Sequence, residues 1–277
     1  MFGPQRPTMR LPFSLQRPIL VAAMLAAPLA AQAAELVPYQ AEYSITAGAG
    51  DRSPQIGTAR QRLSDGCQRR SFERDVNVAL ALTQTLRYEV NSVLRASETR
   101  TGRALDYKLD RVMNGEKSQR GGVVAVGPNG GKANLSSPSG PKSLDLPGGT
   151  LLPQRMIDAI LDHLQRGETN FTVEAFDAEV VTNLVEVNVQ RVGAEQIAPR
   201  PQDAALIDRI GAPAYSLLVS FSRTSGKPLF SAHILLHRNG VISRLIASFG
   251  PFTVAANLTA FQPLPQLRCA APGRTDG

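Results

Sequence analysis

The sequence predicts a mainly β protein, a curled antiparallel sheet or barrel with one amphipathic helix packed against its inside or its mouth. Three observations carry this. Apolar and polar residues alternate with period two in segment after segment, as half-buried strands require. One segment switches to helical spacing. The Gly/Pro/Ser-rich breaks at 47–57, 127–131, 137–141 and 198–203 are short enough to be loops within one domain.

Residues 1–33 read as an address. They carry Arg6, Arg10 and Arg17 and no acid, then an apolar run from Ile19 to Ala31, then the small-x-small signal Ala31-Gln32-Ala33. The run is shorter than the ~20 residues of a membrane-spanning helix. The prediction is therefore a cleavable signal peptide over 1–33 and a single domain over 34–277. Export through it also removes three arginines from a chain of net charge +7, which leaves little argument for nucleic acid. Two cysteines, Cys67 and Cys269, fit the same compartment: an even count in an exported chain reads as a disulfide, with two free thiols as the alternative.

The first strand is expected where Tyr39, Ala41, Tyr43 and Ile45 share one face. Phe72, Arg74, Val76, Val78 and Leu80 form the next, opposite Glu73, Asp75 and Asn77. Leu86, Tyr88, Val90, Ser92 and Leu94 alternate with Arg87, Glu89 and Asn91, and Leu105, Tyr107 and Leu109 alternate with Asp106, Lys108 and Asp110. Gly121–Lys132 lacks the phosphate-loop motif and is expected to be a mobile hairpin loop. From Thr150 to Gly167 the apolar residues Met156, Ile157, Ile160, Leu161 and Leu164 recur at helical spacing. Pro153 suits the first turn and Gly167 the position past the end, while Asp158, Asp162 and Arg166 should face solvent, the last two as an i,i+4 pair. Toward the C-terminus Phe230–His237 and Val241–Phe249 flank Arg238-Asn239-Gly240, a hairpin of the type that positive φ at Asn-Gly favours, and Phe252–Phe261 extends the meander.

Little chemistry is visible. There is no Gly-x-Ser-x-Gly, and the three histidines are His163 in the helix and His233 and His237 in one strand. Four strand residues span about 13 Å, too far for those two rings to share a metal. No catalytic residue, metal site or cofactor is expected. Arg60, Arg62, Arg69, Arg70 and Arg74 surround Cys67 and read as a solvated surface, with a basic lip as the alternative. Asn170 and Asn257 match the glycosylation sequon at strand-like positions.

The order of features resembles the EipB cell-envelope-integrity family. The resemblance rests on Val37-Pro38-Tyr39-Gln40-Ala41-Glu42-Tyr43, on Cys67, on Leu146-Pro147-Gly148-Gly149-Thr150-Leu151-Leu152-Pro153, on Phe171 to Phe176-Asp177, and on Arg238-Asn239-Gly240-Val241, Phe249-Gly250-Pro251-Phe252 and Cys269. Ala178 stands where the family usually has Gly, Leu152 replaces its Phe before Pro153, and tryptophan is absent. The resemblance implies an antiparallel, spiral-like, half-open β-barrel wrapping the helix, similar to the lipoprotein carriers LolA and LolB, with Cys67–Cys269 as the family disulfide. It also implies a non-enzymatic periplasmic role in envelope integrity, through binding an envelope protein, lipoprotein or lipid. Two other functions are weighed against it: carriage of an acyl chain or lipoprotein in the barrel, and hydrolysis of envelope polymer through Glu174, Asp177 and Glu179.

Overall fold

Strands that are apolar on one face must bury that face, and here they do so by curling one sheet around a helix. The computed structural model describes residues 36–81, 87–179, 184–249 and 252–267. The chain runs through β1 (Tyr39–Ala47), β2 (Gln55–Asp65), β3 (Arg69–Ala81), β4 (Arg87–Thr99), β5 (Ala104–Met113), β6 (Glu116–Gly127), β7 (Gly130–Ser136) and β8 (Lys142–Leu146). Helix α1 (Pro153–Gln165) follows, then β9 (Asn170–Phe176) and β10 (Leu184–Arg191). A short helix α2 (Ala204–Ile210) precedes β11 (Ala214–Arg223), β12 (Pro228–His237), β13 (Ile242–Phe249) and β14 (Phe252–Pro263).

All 14 strands belong to one antiparallel sheet in the order β8-β7-β6-β5-β4-β3-β2-β1-β14-β13-β12-β11-β10-β9. The first and last strands, β1 and β14, pair in the middle of the sheet. Among the described residues the sheet does not close, since β8 and β9 are its two edges. They are consecutive in the chain and α1 is their connection. Leu151, just before α1, donates its N–H to Glu174 O (2.9 Å) and accepts from Phe176 N–H (2.8 Å), which satisfies part of the β9 edge. The predicted mainly β, half-open architecture around one helix is what forms.

The helix fills the interior. Ile160, Leu161 and Leu164 of α1 are buried with Leu152, and they pack in one core with Leu105, Tyr107 and Leu109 of β5, Phe176 of β9 and Val185 and Val187 of β10. Each such side chain contributes about 1.5–3 kcal/mol. Ala178, the departure from the family's Gly, is itself buried in this core.

Several expectations need correction. Gly121–Lys132 is not a mobile loop but strand, the end of β6 and the start of β7 around a two-residue turn. Strand β2, which takes up the end of the segment read as a 47–57 loop, has polar side chains along its outer face and shows little alternation in sequence. Asp158 does not face solvent: it is 7% exposed and ion-paired to Arg70 of β3. Asp162 lies 3.8 Å from Arg155, and Arg166 pairs with Glu168 instead. The hairpin of positive φ is Asn114-Gly115 between β5 and β6, with φ of 50° and 86°, the two-residue type I′ pattern. At Arg238-Asn239-Gly240 only Gly240 has positive φ; its N–H donates to His237 O (2.9 Å), the pattern of a type I turn closed by a glycine bulge. The connection 192–213, which carries α2, packs on the outer face of β11–β14: Arg244 donates to Ala198 O (3.0 Å), and Asn239 to Ile210 O (3.2 Å).

Candidate functional site

Three features of the molecule have the makings of a site. The largest is a groove of about 990 Å³ on the outer face of β2–β7. Outward side chains of six strands line it: Arg62, Glu73, Arg95, Lys108, Val123 and Asn134 represent one strand each. The groove is concave because β5, β6 and β7 are drawn tightly together at Gly121-Gly122. A Cβ on Gly121 would lie 2.9 Å from Tyr107 O, and one on Gly122 would lie 2.8 Å from Asn134 O and 2.9 Å from Leu135 Cδ2. Side chains are excluded on both faces. Gly122→Ala is therefore expected to cost about 1–3 kcal/mol in stability, read by urea unfolding, and a cost near zero would show that the strands can separate freely. Charges on the groove floor are mostly matched: Arg69 with Asp106, Arg95 with Glu73 at 2.8 Å, Lys108 with Asp110 at 3.5 Å. Among the described residues Arg62 has Ser64 as its hydrogen-bond partner (3.2 Å) and no ion pair, so its charge is available to a ligand. Val123 is 55% exposed and gives the groove an apolar spot.

The second feature is a buried charge network where the β2–β3 turn meets the start of α1. Leu152, at the N-cap of α1, has no side chain able to cap. Glu98 of β4 supplies the cap from across the core: its carboxylate accepts from Gln154 N–H (2.8 Å) and Arg155 N–H (2.9 Å). Arg70 donates to Asp158 (2.8 Å), and Asp65 pairs with Arg100. Burial pushes the Glu98 carboxyl up to about 7, against the pull of the two N–H groups. Burial also raises Asp158, opposed by Arg70. Arg100 donates to Gly66 O, and its N–H to Gln68 O, both at 2.9 Å. The turn that bears Cys67 is thus tied to the same network. Cys269 lies outside the described residues, as do residues 1–33.

The third is a cavity of about 120 Å³ between α1, β1–β5 and the start of the β9–β10 connection. Arg74 points into it from β3 and pairs with Glu179. The cavity is well below the ~300–1,000 Å³ of a small-molecule pocket. It does not fit a carried acyl chain.

The sequence candidates are dispersed rather than assembled. The arginines around Cys67 form neither a lip nor a uniform solvated face: alternation sends Arg60, Arg62 and Arg69 outward, while Arg70 and Arg74 point inward to acids. Glu174 accepts from Thr150 (3.2 Å), while Asp177, which accepts from Glu179 N–H (2.7 Å), and Glu179 both act on Arg74, so the carboxylates are engaged by other groups of the protein. His163 pairs with Glu168 (2.8 Å) and stacks on Phe171. His237 is buried; its Nδ1–H donates to Ala212 O (2.7 Å) and its Nε2 accepts from Ser243 (2.9 Å). Asn170 and Asn257 both lie inside strands, and Asn257 is buried. The groove and the network were not visible in sequence, because each is assembled from strands far apart in the chain.

A family described as EipB-like matches residues 30–265. The chain belongs to the EipB-like family. The periplasm is where this family in general resides. Among solved structures, the crystal structure of a beta-barrel-like protein of domain of unknown function DUF1849 from Brucella abortus is similar in fold. The TM-score is 0.71 at 17% identity, covering 84% of this chain and 100% of that one. No curated protein matches. Among the described residues of this EipB-like protein no helix is long and apolar enough to cross a membrane.

Proposed function

We propose that this protein is a non-enzymatic periplasmic component that supports envelope integrity by binding another envelope component in the outer groove of β2–β7. The observation that carries the reading is the groove itself, about 990 Å³, open along six strands and lined by serines, Asn134, Gln119 and charged side chains. Such a lining suits an extended polar chain, a protein or lipoprotein segment, better than an acyl tail. The family's place in the periplasm supports the location. In this reading 1–33 is cleaved and 34–277 is the mature domain. Protein recovered from periplasm then begins at Ala34. Its intact mass lies two hydrogens below the reduced value, through a Cys67–Cys269 disulfide; an unshifted mass would leave two thiols.

The test places a photo-crosslinking amino acid at Val123 and irradiates cells. The expected result is a discrete crosslinked species that disappears when Arg62→Glu and Lys108→Glu are added, together with detergent sensitivity of the doubly substituted strain. Absence of any crosslink, with wild-type detergent resistance in that strain, would sink the reading.

A further inference from the structure

Four phenylalanines form a ladder at one end of the sheet. Phe221 pairs with Phe230 across β11 and β12, and Phe249 pairs with Phe252 across β13 and β14. Ring centroids are 4.5 Å apart for Phe221–Phe230, 5.6 Å for Phe230–Phe249 and 5.9 Å for Phe249–Phe252, all stacked. The row continues on the same face. Val254 opposes Ala47, Ile45 opposes Gly57, and Val78, Val90 and Met113 follow in register across β3, β4 and β5. Because every neighbour is antiparallel, these strand ends all lie on one rim.

This row faces the inside of the curl, as the core residues do, but it lies beyond the core. Phe249 is 41% and Phe252 39% exposed, and Tyr88 and Met113 on the same rim are 42% and 40% exposed. Among the described residues, four of the six large apolar side chains that stand exposed are therefore gathered at one edge. A soluble protein rarely leaves such a row uncovered without use.

The turns beside it are basic at their tips. Arg223 and Lys227 lie between Phe221 and Phe230, and Arg87 lies beside Tyr88; none has an ion pair among the described residues. The next turn carries Asp51, which acts on Arg200, beside Arg52, and Glu116 and Lys117 beside Met113 are of opposite sign. Glu89, two residues from Arg87 on the same strand face, and Glu186 have no ion pair among the described residues.

We propose that this rim docks on an anionic lipid surface. The aromatic row enters the interface while Arg87, Arg223 and Lys227 meet the headgroups. The proposal is independent of the outer groove, which opens on the opposite face.

The chain has no tryptophan, so a single one reports its own surroundings. Phe252→Trp and, as a control, Ala125→Trp, exposed on the outer face at the far end of β6, are mixed with phosphatidylglycerol vesicles. The expected result is a blue shift and quenching by brominated lipid at position 252 alone, weakened by salt and by replacing the lipid with phosphatidylcholine. Phe249→Ser with Phe252→Ser should weaken partitioning about tenfold or more, with an unchanged circular dichroism spectrum. Any contribution from residues 1–33 is common to all variants and cancels. No shift at 252, an equal shift at 125, or a shift at 252 that grows with protein concentration without vesicles would overturn the proposal; the last would assign the rim to a second copy.

Discussion

Arg70→Ala is expected to lower the stability of the protein by about 3–5 kcal/mol, because it removes one partner of a buried ion pair and leaves the other charged. For a chain of this size that is about 6–20 °C in Tm. Arg70 and Asp158 are each 10% exposed at the side chain, and Arg70 Nε also lies 3.9 Å from Asp65. Without the guanidinium, Asp65, Asp158 and Glu98 share one buried region, with Arg100 beside Asp65 and the more exposed Arg155 left to offset them. The size of the loss should therefore depend on pH: acid protonates Asp158 and Glu98 and restores part of what was lost. Replacing both members, Arg70→Met with Asp158→Leu, should cost far less than Arg70→Ala, since nothing charged is left stranded. Urea unfolding of the three proteins at pH 5 and pH 7.5 checks this. A double variant as unstable as the single one would mean that the pair orients α1 rather than merely balancing charge.

That pair also marks the limit of what the sequence discloses. Strands β1, β3, β4 and β5 and the C-terminal meander are legible because one face is apolar and the other polar, and period two survives in the residues themselves. Helix α1 is legible from Ile157, Ile160, Leu161 and Leu164. Strands β6 and β7 are not, because Gly121, Gly122, Gly127, Gly130 and Gly131 remove the side chains that would alternate, and glycine there serves close approach rather than a loop. Asp158 has the spacing of a solvated helix face. Its partner lies 88 residues away on β3, and no local pattern can report that. The same holds for the groove, where residues from Arg62 to Ser136 converge only because six strands lie side by side. The phenylalanine ladder is a different case: Phe230, Phe249 and Phe252 fall in strands legible in the sequence, Phe221 lies in β11, which is not, and only the register puts the four in one row at a rim.

Two buried groups should give opposite slopes to the stability profile near neutrality, and separating them is a sharp test of the interior. Glu98 is raised to about 7 by burial, so the folded state binds its proton more tightly than the unfolded chain. Its contribution is complete below about pH 4.5 and is lost as pH rises through about 7, a change of about 3 kcal/mol. Asp158, raised for the same reason, acts with the same sign at lower pH. His237 is lowered from 6.5 by burial, since its Nε2 must stay unprotonated to accept from Ser243. Its contribution is present above about pH 6.5 and is lost as pH falls toward its folded value. In the wild-type protein the two opposed slopes should therefore largely cancel just below about pH 6.5, and only the Glu98 decline remains between there and about pH 7. Glu98→Gln removes the alkaline slope and leaves stability rising from pH 5 to a plateau above 6.5. It also lowers the baseline by about 1–3 kcal/mol, because one amide N–H now faces an N–H at the start of α1. His237→Gln removes the acid slope and leaves stability falling from pH 5 to about 7 and level above it. Thermal melts across that range decide it. Parallel profiles for the two variants would mean that Glu98 is ionised throughout, held by the helix N-terminus and Arg70 more strongly than burial opposes it.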